Sequence, residues 1–149
     1  MREEISITDI FRMLGDDKTV SILEILSNES RYSYEIIATL ALSKRQFYDR
    51  ISELTWAGLI DRHKGKYSMT SYGRIISHLL EVVEKVVRKQ LKLQAVDMLT
   101  YSAISKDDHD KIIDALIDDH EVKALFFKDL EGAGKGTTSL AAQMTASEK

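Results

Sequence analysis

Apolar residues recur at three- and four-residue spacing through most of the chain, which is the pattern of amphipathic helices. In the first third, this spacing predicts a helix over residues 5–14, a second over 17–27 and a third that Ser33 caps. Gly15 and the two acids after it separate the first two helices, and an acid there can cap the second. The polar stretch 28–30 favours a turn before the third helix.

A fourth helix, over residues 43–57, has the clearest start signal. Ser43 precedes Gln46 by three residues, which is the spacing of a capping box, in which each side chain bonds the backbone N–H of the other residue. Gly58 follows as a left-handed cap at the end of the helix. The face expected to be buried carries Phe47, Ile51 and Leu54, and the opposite face carries Lys44, Arg45, Tyr48 and Ser52.

Two short strands, 59–63 and 66–69, are predicted to follow. Lys64-Gly65 lies between them, and the glycine supplies the positive φ that a tight hairpin requires. Thr70 is then expected to cap a long helix from Ser71 to about Lys92 or beyond. The order helix, turn, helix and hairpin predicts a mainly α chain, a winged helix-turn-helix with a small β-hairpin wing.

The long helix has a wider apolar stripe than one domain face can cover. Its heptad positions predict a long C-terminal dimerisation helix that meets its copy in a homodimer. The predicted dimer interface consists of Ile76, Leu79, Val83, Val86, Gln90 and Leu93.

The last third is predicted to form further helices and a tail. Ser105 and Asp108 have the spacing of a second capping box, and a break is expected near residues 118–119 before a last short helix. The final stretch is small and polar, so we expect a flexible tail. The predicted divisions are 1–70 as the winged domain, 71–131 as a helical dimerisation region and 132–149 as the tail.

Composition narrows the classes of function. The 149 residues contain no cysteine, which excludes disulfides, thiolate metal sites and cysteine nucleophiles. No apolar run approaches the roughly 18 residues that a membrane span needs, and the first residues lack an apolar signal core. We therefore expect a cytoplasmic protein that does not enter a membrane.

Charge is unevenly distributed along the chain. The formal net charge is −3, but residues 43–92 hold 11 basic and 5 acidic side chains. Both flanking segments are acidic. Because the local field governs docking on phosphates, the basic block suits a nucleic-acid partner although the whole chain is acidic.

The same block carries a resemblance to known regulators. Residues 42–51, LSKRQFYDRI, and the exit at 54–60, LTWAGLI, resemble the recognition helix of ArsR-like winged-helix proteins. Apolar positions in 14–26 are similar to their first winged-domain helix, and 69–74, MTSYGR, is similar to the Leu-Thr-x-x-Gly-Arg step of MarR-like proteins. The resemblance covers about residues 10–90 and is to this prokaryotic and archaeal superfamily of winged helix-turn-helix transcriptional regulators.

The resemblance implies a dimeric, sequence-specific regulator that binds double-stranded DNA. Its recognition helix, about 43–57, would enter the major groove, and its wing, 60–69, would touch the flanking backbone or minor groove. A small-molecule effector is compatible with this class, but no residue identifies one. The DNA-contacting residues that the resemblance and the exposed positions imply are Ser43, Lys44, Arg45, Gln46, Tyr48, Arg50, Arg62, Lys64, Lys66 and Arg74. Arg50, near the edge of its helix face, is expected to contact phosphate or pair with Asp49.

Catalytic and metal sites have little support in the sequence. No nucleophile arrangement or paired-carboxylate cleft is legible, so we expect neither an enzyme nor a cofactor. Some ArsR-like proteins sense metals through Asp and His on the helix after the wing, where this chain has only His78. Asp107, His109 and His120 are too widely spaced for one site without a partner chain, so no metal site is predicted.

The sequence also supports a second function. The acidic ends and the apolar pair Phe126-Phe127 also suit a winged-helix module that binds another protein within a larger assembly. Such a module would not read DNA directly.

Overall fold

The computed structural model describes residues 4–129 and Gly132, apart from the side chain of Thr100. The described chain is mainly helical and contains a small antiparallel sheet. In chain order its elements are α1 (Ile7–Leu14), α2 (Asp17–Asn28), β1 (Arg31–Tyr32), α3 (Ser33–Leu40), α4 (Lys44–Trp56), β2 (Ile60–His63), β3 (Lys66–Met69), α5 (Ser71–Arg88), α6 (Gln90–Thr100) and α7 (Lys106–Leu116), and α8 covers residues 120–129. The predicted tail lies outside the described residues, apart from Gly132.

The chain divides into two compact units, of which the first ends at Leu80 and the second begins at Glu81. The first buries a core drawn from α1 to β3, with Ile22, Phe47 and Leu59 fully buried. The first turns of α5 belong to this unit, because they pack on its core. Ile76 packs against it.

The close approach of α5 to the first core depends on a glycine. A Cβ at Gly73 would lie 2.0 Å from the carbonyl oxygen of Leu59, closer than any side chain permits. Thr70 caps α5 as predicted, because its Oγ1 accepts the N–H of Gly73 at 2.9 Å. The same hydroxyl donates to the carbonyl oxygen of Gly58 at 2.7 Å, which ties the start of α5 to the end of α4.

The sheet has three strands in the order β1-β3-β2, all antiparallel. The hairpin of β2 and β3 was predicted, but β1 was not, because a two-residue strand has no periodicity to detect. The sequence also predicted that Ser33 caps α3, which is wrong. The cap is Tyr32, whose backbone is extended because it pairs with Lys66, and its N–H donates to Glu35 Oε2 at 2.7 Å.

The predicted long helix does not continue through Lys92. It ends at Arg88, and α6 begins at Gln90 after a non-helical Lys89. Residues of both α5 and α6 contribute to one core in the second unit. That core consists of Val96, Ile113, Ile117 and Val122, with Val86, Leu93, Leu116, Phe126 and Phe127 packed against it.

Candidate nucleic-acid interface

The start of α4 is fixed by reciprocal side-chain bonds. Ser43 Oγ accepts the N–H of Gln46 at 3.1 Å, and Gln46 Oε1 accepts the N–H of Ser43 at 3.0 Å, so the predicted capping box is confirmed. A three-residue turn precedes it, with Ala41 in the left-handed region and Leu42 buried. The backbone N–H groups of the first turn of α4 therefore point out at a defined place on the surface.

The two faces of α4 divide as the apolar spacing predicts. Phe47, Ile51 and Leu54 are buried in the first core. Gly58 has a φ of +74°, so the predicted left-handed cap is also confirmed. The residues predicted to face outward are all exposed, namely Lys44, Arg45, Tyr48 and Ser52. The Arg45 side chain is 91% exposed, and its Nε lies 3.9 Å from Asp49 Oδ2, a loose pair that leaves its guanidinium accessible.

Arg50 has a different partner from the one that the sequence suggested. Its Nε and Nη2 donate to the two carboxylate oxygens of Asp16 at 2.7 and 3.1 Å, and its Nη1 donates to the carbonyl oxygen of Gln46 at 2.9 Å. Asp16 also caps α2, because its Oδ2 accepts the N–H and the hydroxyl of Thr19. Arg50 therefore joins α4 to the start of α2, and its guanidinium is held by the protein itself.

The environment of Asp16 shifts its acidity. The hydrogen bond from Arg50, followed by that from the Thr19 hydroxyl, lowers the pKa of Asp16 well below its usual range. The same bond raises the pKa of Arg50. The pair is consequently ionised at any pH near neutrality.

The strand register sorts the hairpin side chains onto two faces. Arg31, Tyr67 and Arg62 lie opposite one another across the three strands, and so do Tyr32, Lys66 and His63. Since directly opposed residues share a face, the two rows lie on opposite faces of the sheet. Lys64 and Gly65 form the turn with φ angles of +49° and +83°.

An aromatic contact connects the hairpin to α4. The ring of Tyr67 packs edge-on against that of Phe47 with centroids 5.8 Å apart, and Phe47 contacts Tyr48 in the same manner at 5.1 Å. The guanidinium carbon of Arg62 lies 5.4 Å from the centroid of the Tyr67 ring. The exposed face of α4 and one face of the hairpin are therefore linked through two buried rings.

Some cations of the basic block, residues 43–92, form ion pairs and others do not. Of the cations in residues 43–92, Lys85, Arg88, Lys89 and Lys92 pair with acids of the second unit, and Arg50 pairs with Asp16. Within the described part of the chain, five cations of the block have no carboxylate at ion-pair distance. They are Lys44 on α4, Arg62, Lys64 and Lys66 on the hairpin, and Arg74 on α5.

The residues predicted for a dimer interface are divided by the fold. Leu79 and Val83 are half exposed, and Gln90 is exposed at the start of α6. Ile76 packs on the first core, whereas Val86 and Leu93 pack on the second. Ile75 and Val87, outside the predicted set, are more than 60% exposed. The exposed apolar residues of α5 therefore form a row at positions 75, 79, 83 and 87. Their spacing is four residues, whereas the predicted interface followed the alternating three- and four-residue spacing of a heptad.

Metal-ligating groups do not converge in the residues described. No cluster of three or more His, Asp or Glu side chains there could hold a metal ion. Asp107 instead pairs with Lys111 at 2.7 Å. In the same residues, no helix is long and apolar enough to cross a membrane.

Comparison with known proteins adds no assignment. No protein-family model matches the chain, and a search of curated proteins found no match.

Proposed function

We propose that the protein is a winged helix-turn-helix DNA-binding transcriptional regulator. The observation that carries the proposal is the location of the unpaired cations. The basic residues at the end of α5 and the start of α6 form ion pairs with acidic residues. The unpaired cations of the basic block lie on α4, the hairpin and the first turn of α5. Unpaired lysine and arginine on a helix start and a hairpin suit contact with phosphates.

The two parts of this surface have different roles. On α4, Lys44 and Arg45 can donate to guanine O6 and N7 in the major groove, and a good pair discriminates by about 1–3 kcal/mol. The free backbone N–H groups after Ser43 suit a phosphate at the helix start. The hairpin cations would hold the flanking backbone and so fix the register of α4 without reading sequence.

Salt dependence is the sharpest test of this proposal. Each neutralised phosphate contributes roughly −0.9 to the slope of log K against log salt concentration. We expect duplex DNA to bind with a steep slope in a fluorescence-anisotropy series. Lys66→Gln should reduce the slope by about 1, whereas the matched control Arg88→Gln should leave it unchanged, because Arg88 already pairs with Glu84 at 3.4 Å. The proposal fails if duplex DNA does not bind at low salt and micromolar protein.

Variants of the two parts should separate base reading from backbone contact. Arg45→Ala is expected to reduce the preference for the selected site over random DNA. Lys64→Ala should weaken binding to both DNAs alike, since a phosphate contact carries no sequence information. Selection of bound genomic fragments followed by sequencing supplies the site. It also reveals half-site spacing, expected near one helical turn for a two-fold dimer.

We further propose a homodimer that packs α5 against its copy. The side chains of residues 75, 79, 83 and 87 are exposed, and at roughly 100 Å² each they present about 400 Å² of apolar surface. This is the size of the largest apolar patch on a typical protein, and such patches are often functional. Ridges at four-residue spacing interdigitate at a crossing angle of about −50°, in contrast to the shallow angle of a coiled coil. Val83→Lys should shift the sedimenting species from dimer to monomer. A stable wild-type monomer at tens of micromolar would remove the dimer.

The protein-binding alternative is less well supported than the sequence suggested. Its motivation included Phe126 and Phe127, which pack against the core of the second unit. A single stoichiometric protein partner, found together with the absence of DNA binding, would favour that alternative.

A further inference from the structure

The face of the sheet that carries Tyr32, Lys66 and His63 contains a polar recess that the sequence did not indicate. The recess has a volume of about 420 Å³ and lies at the edge of the hairpin. The lining residues are Ser30, Tyr32, His63, Lys64, Lys66 and Ser68. Each can donate a hydrogen bond through a hydroxyl, an imidazole or an ammonium group, and none is a carboxylate.

The two glutamates nearest the recess in the chain pair with an arginine on the other face of the sheet. Glu29 and Glu35 both pair with Arg31, which belongs to the row on the opposite face of the sheet. Asp61 lies opposite Ser68 on the face of the recess, where its Oδ1 accepts the backbone N–H of Arg62 at 2.7 Å. The two lysines of the recess have no carboxylate at ion-pair distance among the described residues. The recess therefore holds two lysines that pair with no described carboxylate, and the one acid on the same face of the hairpin, Asp61, is not among its lining residues.

The geometry holds one of these charges in place. Lys66 Nζ lies 4.9 Å from the centroid of the Tyr32 ring, and this cation–π contact restrains the ammonium without consuming its hydrogen-bond donors. Tyr32 in turn stacks on Tyr34 with centroids 5.5 Å apart. Lys64 is held at the turn by a left-handed backbone. Such an array of lysines and hydroxyl donors is suited to a tetrahedral oxyanion.

We infer that this recess binds a phosphate group. The inference rests on the proposed DNA-binding function, and it adds a contact on the face of the hairpin that lies away from α4, since Tyr67 on the other face packs against Phe47. A backbone phosphate bound there would lie outside the groove that α4 enters. It would direct Lys64 and Lys66 to a phosphate on this face of the hairpin, with Tyr32, His63 and the two serines as further donors. The same chemistry fits the phosphate of a free ligand.

The test places a carboxylate in the recess. Ser30→Glu changes an exposed residue before β1, and Ser68→Glu changes a half-buried residue on β3. Thr8→Glu is the matched control, because it adds the same charge at an exposed position of α1 outside the recess. Thermal unfolding of each variant establishes that it is folded. Ser30→Glu covers the case in which Ser68→Glu fails to fold.

Two measurements then distinguish the sources of phosphate. In the DNA arm, both recess variants should weaken duplex binding roughly tenfold and lower the salt slope by about 1, and Thr8→Glu should have little effect. In the second arm, inorganic phosphate is added to the full chain, and backbone amide shifts of β1 and β3 are followed by NMR. A saturable shift that Ser30→Glu abolishes, without the DNA effect, assigns the recess to a free phosphate ligand.

The inference is overturned if the recess variants match Thr8→Glu on DNA and inorganic phosphate causes no saturable shift. If the wild-type protein binds DNA in that case, the proposed function stands and only the phosphate site in the recess is rejected. Wild-type protein that fails to bind DNA would remove the proposed function, and the phosphate titration alone would then decide the recess.

Discussion

The contact between Asp16 and Arg50 offers a prediction with a magnitude that the structure defines. The Asp16 carboxylate has two tasks, since it caps α2 through Thr19 and pairs with Arg50 at two points. Asp16→Asn separates them, because asparagine is as good a cap as aspartate. What the variant loses is the charge on the acceptor of the Arg50 hydrogen bonds.

The expected loss follows from burial. Hydrogen bonds to charged groups contribute about 1.5–3 kcal/mol, but the Asp16 side chain is 41% exposed and water screens it, so we expect about 1–2 kcal/mol. The loss should not be smaller than this, because Arg50 is only 22% exposed and water cannot fully replace the carboxylate that its guanidinium loses. Asp17→Asn is the control, an adjacent exposed acid in the first turn of α2. It should cost at most about 0.5 kcal/mol through the helix dipole.

Urea unfolding at neutral and acid pH provides the assay. The pKa of Asp16 in the folded protein is lowered by Arg50 and Thr19. Its contribution is therefore present above the unfolded pKa of about 3.9 and is lost as pH falls below that value toward the folded pKa. The difference between wild type and Asp16→Asn should be full at pH 7 and shrink below about pH 4. Equal losses for Asp16→Asn and Asp17→Asn at pH 7 would refute this reasoning, and so would a difference that persists unchanged in acid.

Three further substitutions test the framework that presents the basic surface. Gly73→Ala should destabilise the first unit by more than about 3 kcal/mol, because the added Cβ would meet the carbonyl oxygen of Leu59 at 2.0 Å; an unchanged melting temperature would contradict this. Ser43→Ala should cost about 0.5–2 kcal/mol by removing the acceptor of the Gln46 N–H, seen as a lower urea midpoint. Lys64→Gly should raise stability by up to about 1 kcal/mol, since its φ is +49°, yet weaken binding to all DNA; a less stable protein would argue against backbone strain at this turn.

The features that could be predicted from the sequence are those that depend on neighbouring residues. The capping box at Ser43 and the left-handed Gly58 each require groups within about four positions, so local spacing was sufficient. The buried face of α4 followed from helical periodicity for the same reason. The same periodicity places Lys44, Arg45 and Tyr48 on the exposed face of α4, so the candidate surface could be predicted without any tertiary contact.

Other features required pairs of residues that lie far apart in the chain. The partner of Arg50 is 34 positions away, and no pattern around Arg50 distinguishes Asp16 from the nearer Asp49. The end of α5 at Arg88 has no glycine or proline to mark it, and apolar residues on both sides of this end pack on one core. Packing also decided which apolar residues of α5 remain exposed.

The sequence by itself determined the order of helices and hairpin in the first unit and the concentration of cations in residues 43–92, because both are properties of short segments. Only the tertiary structure decided which of those cations are left without a carboxylate. Ion pairs form wherever folding brings opposite charges together, and here they occupy Arg50 and the basic residues at the end of α5. The phosphate recess has the same origin, since pairing of β1 with β3 brings Tyr32 beside Lys66.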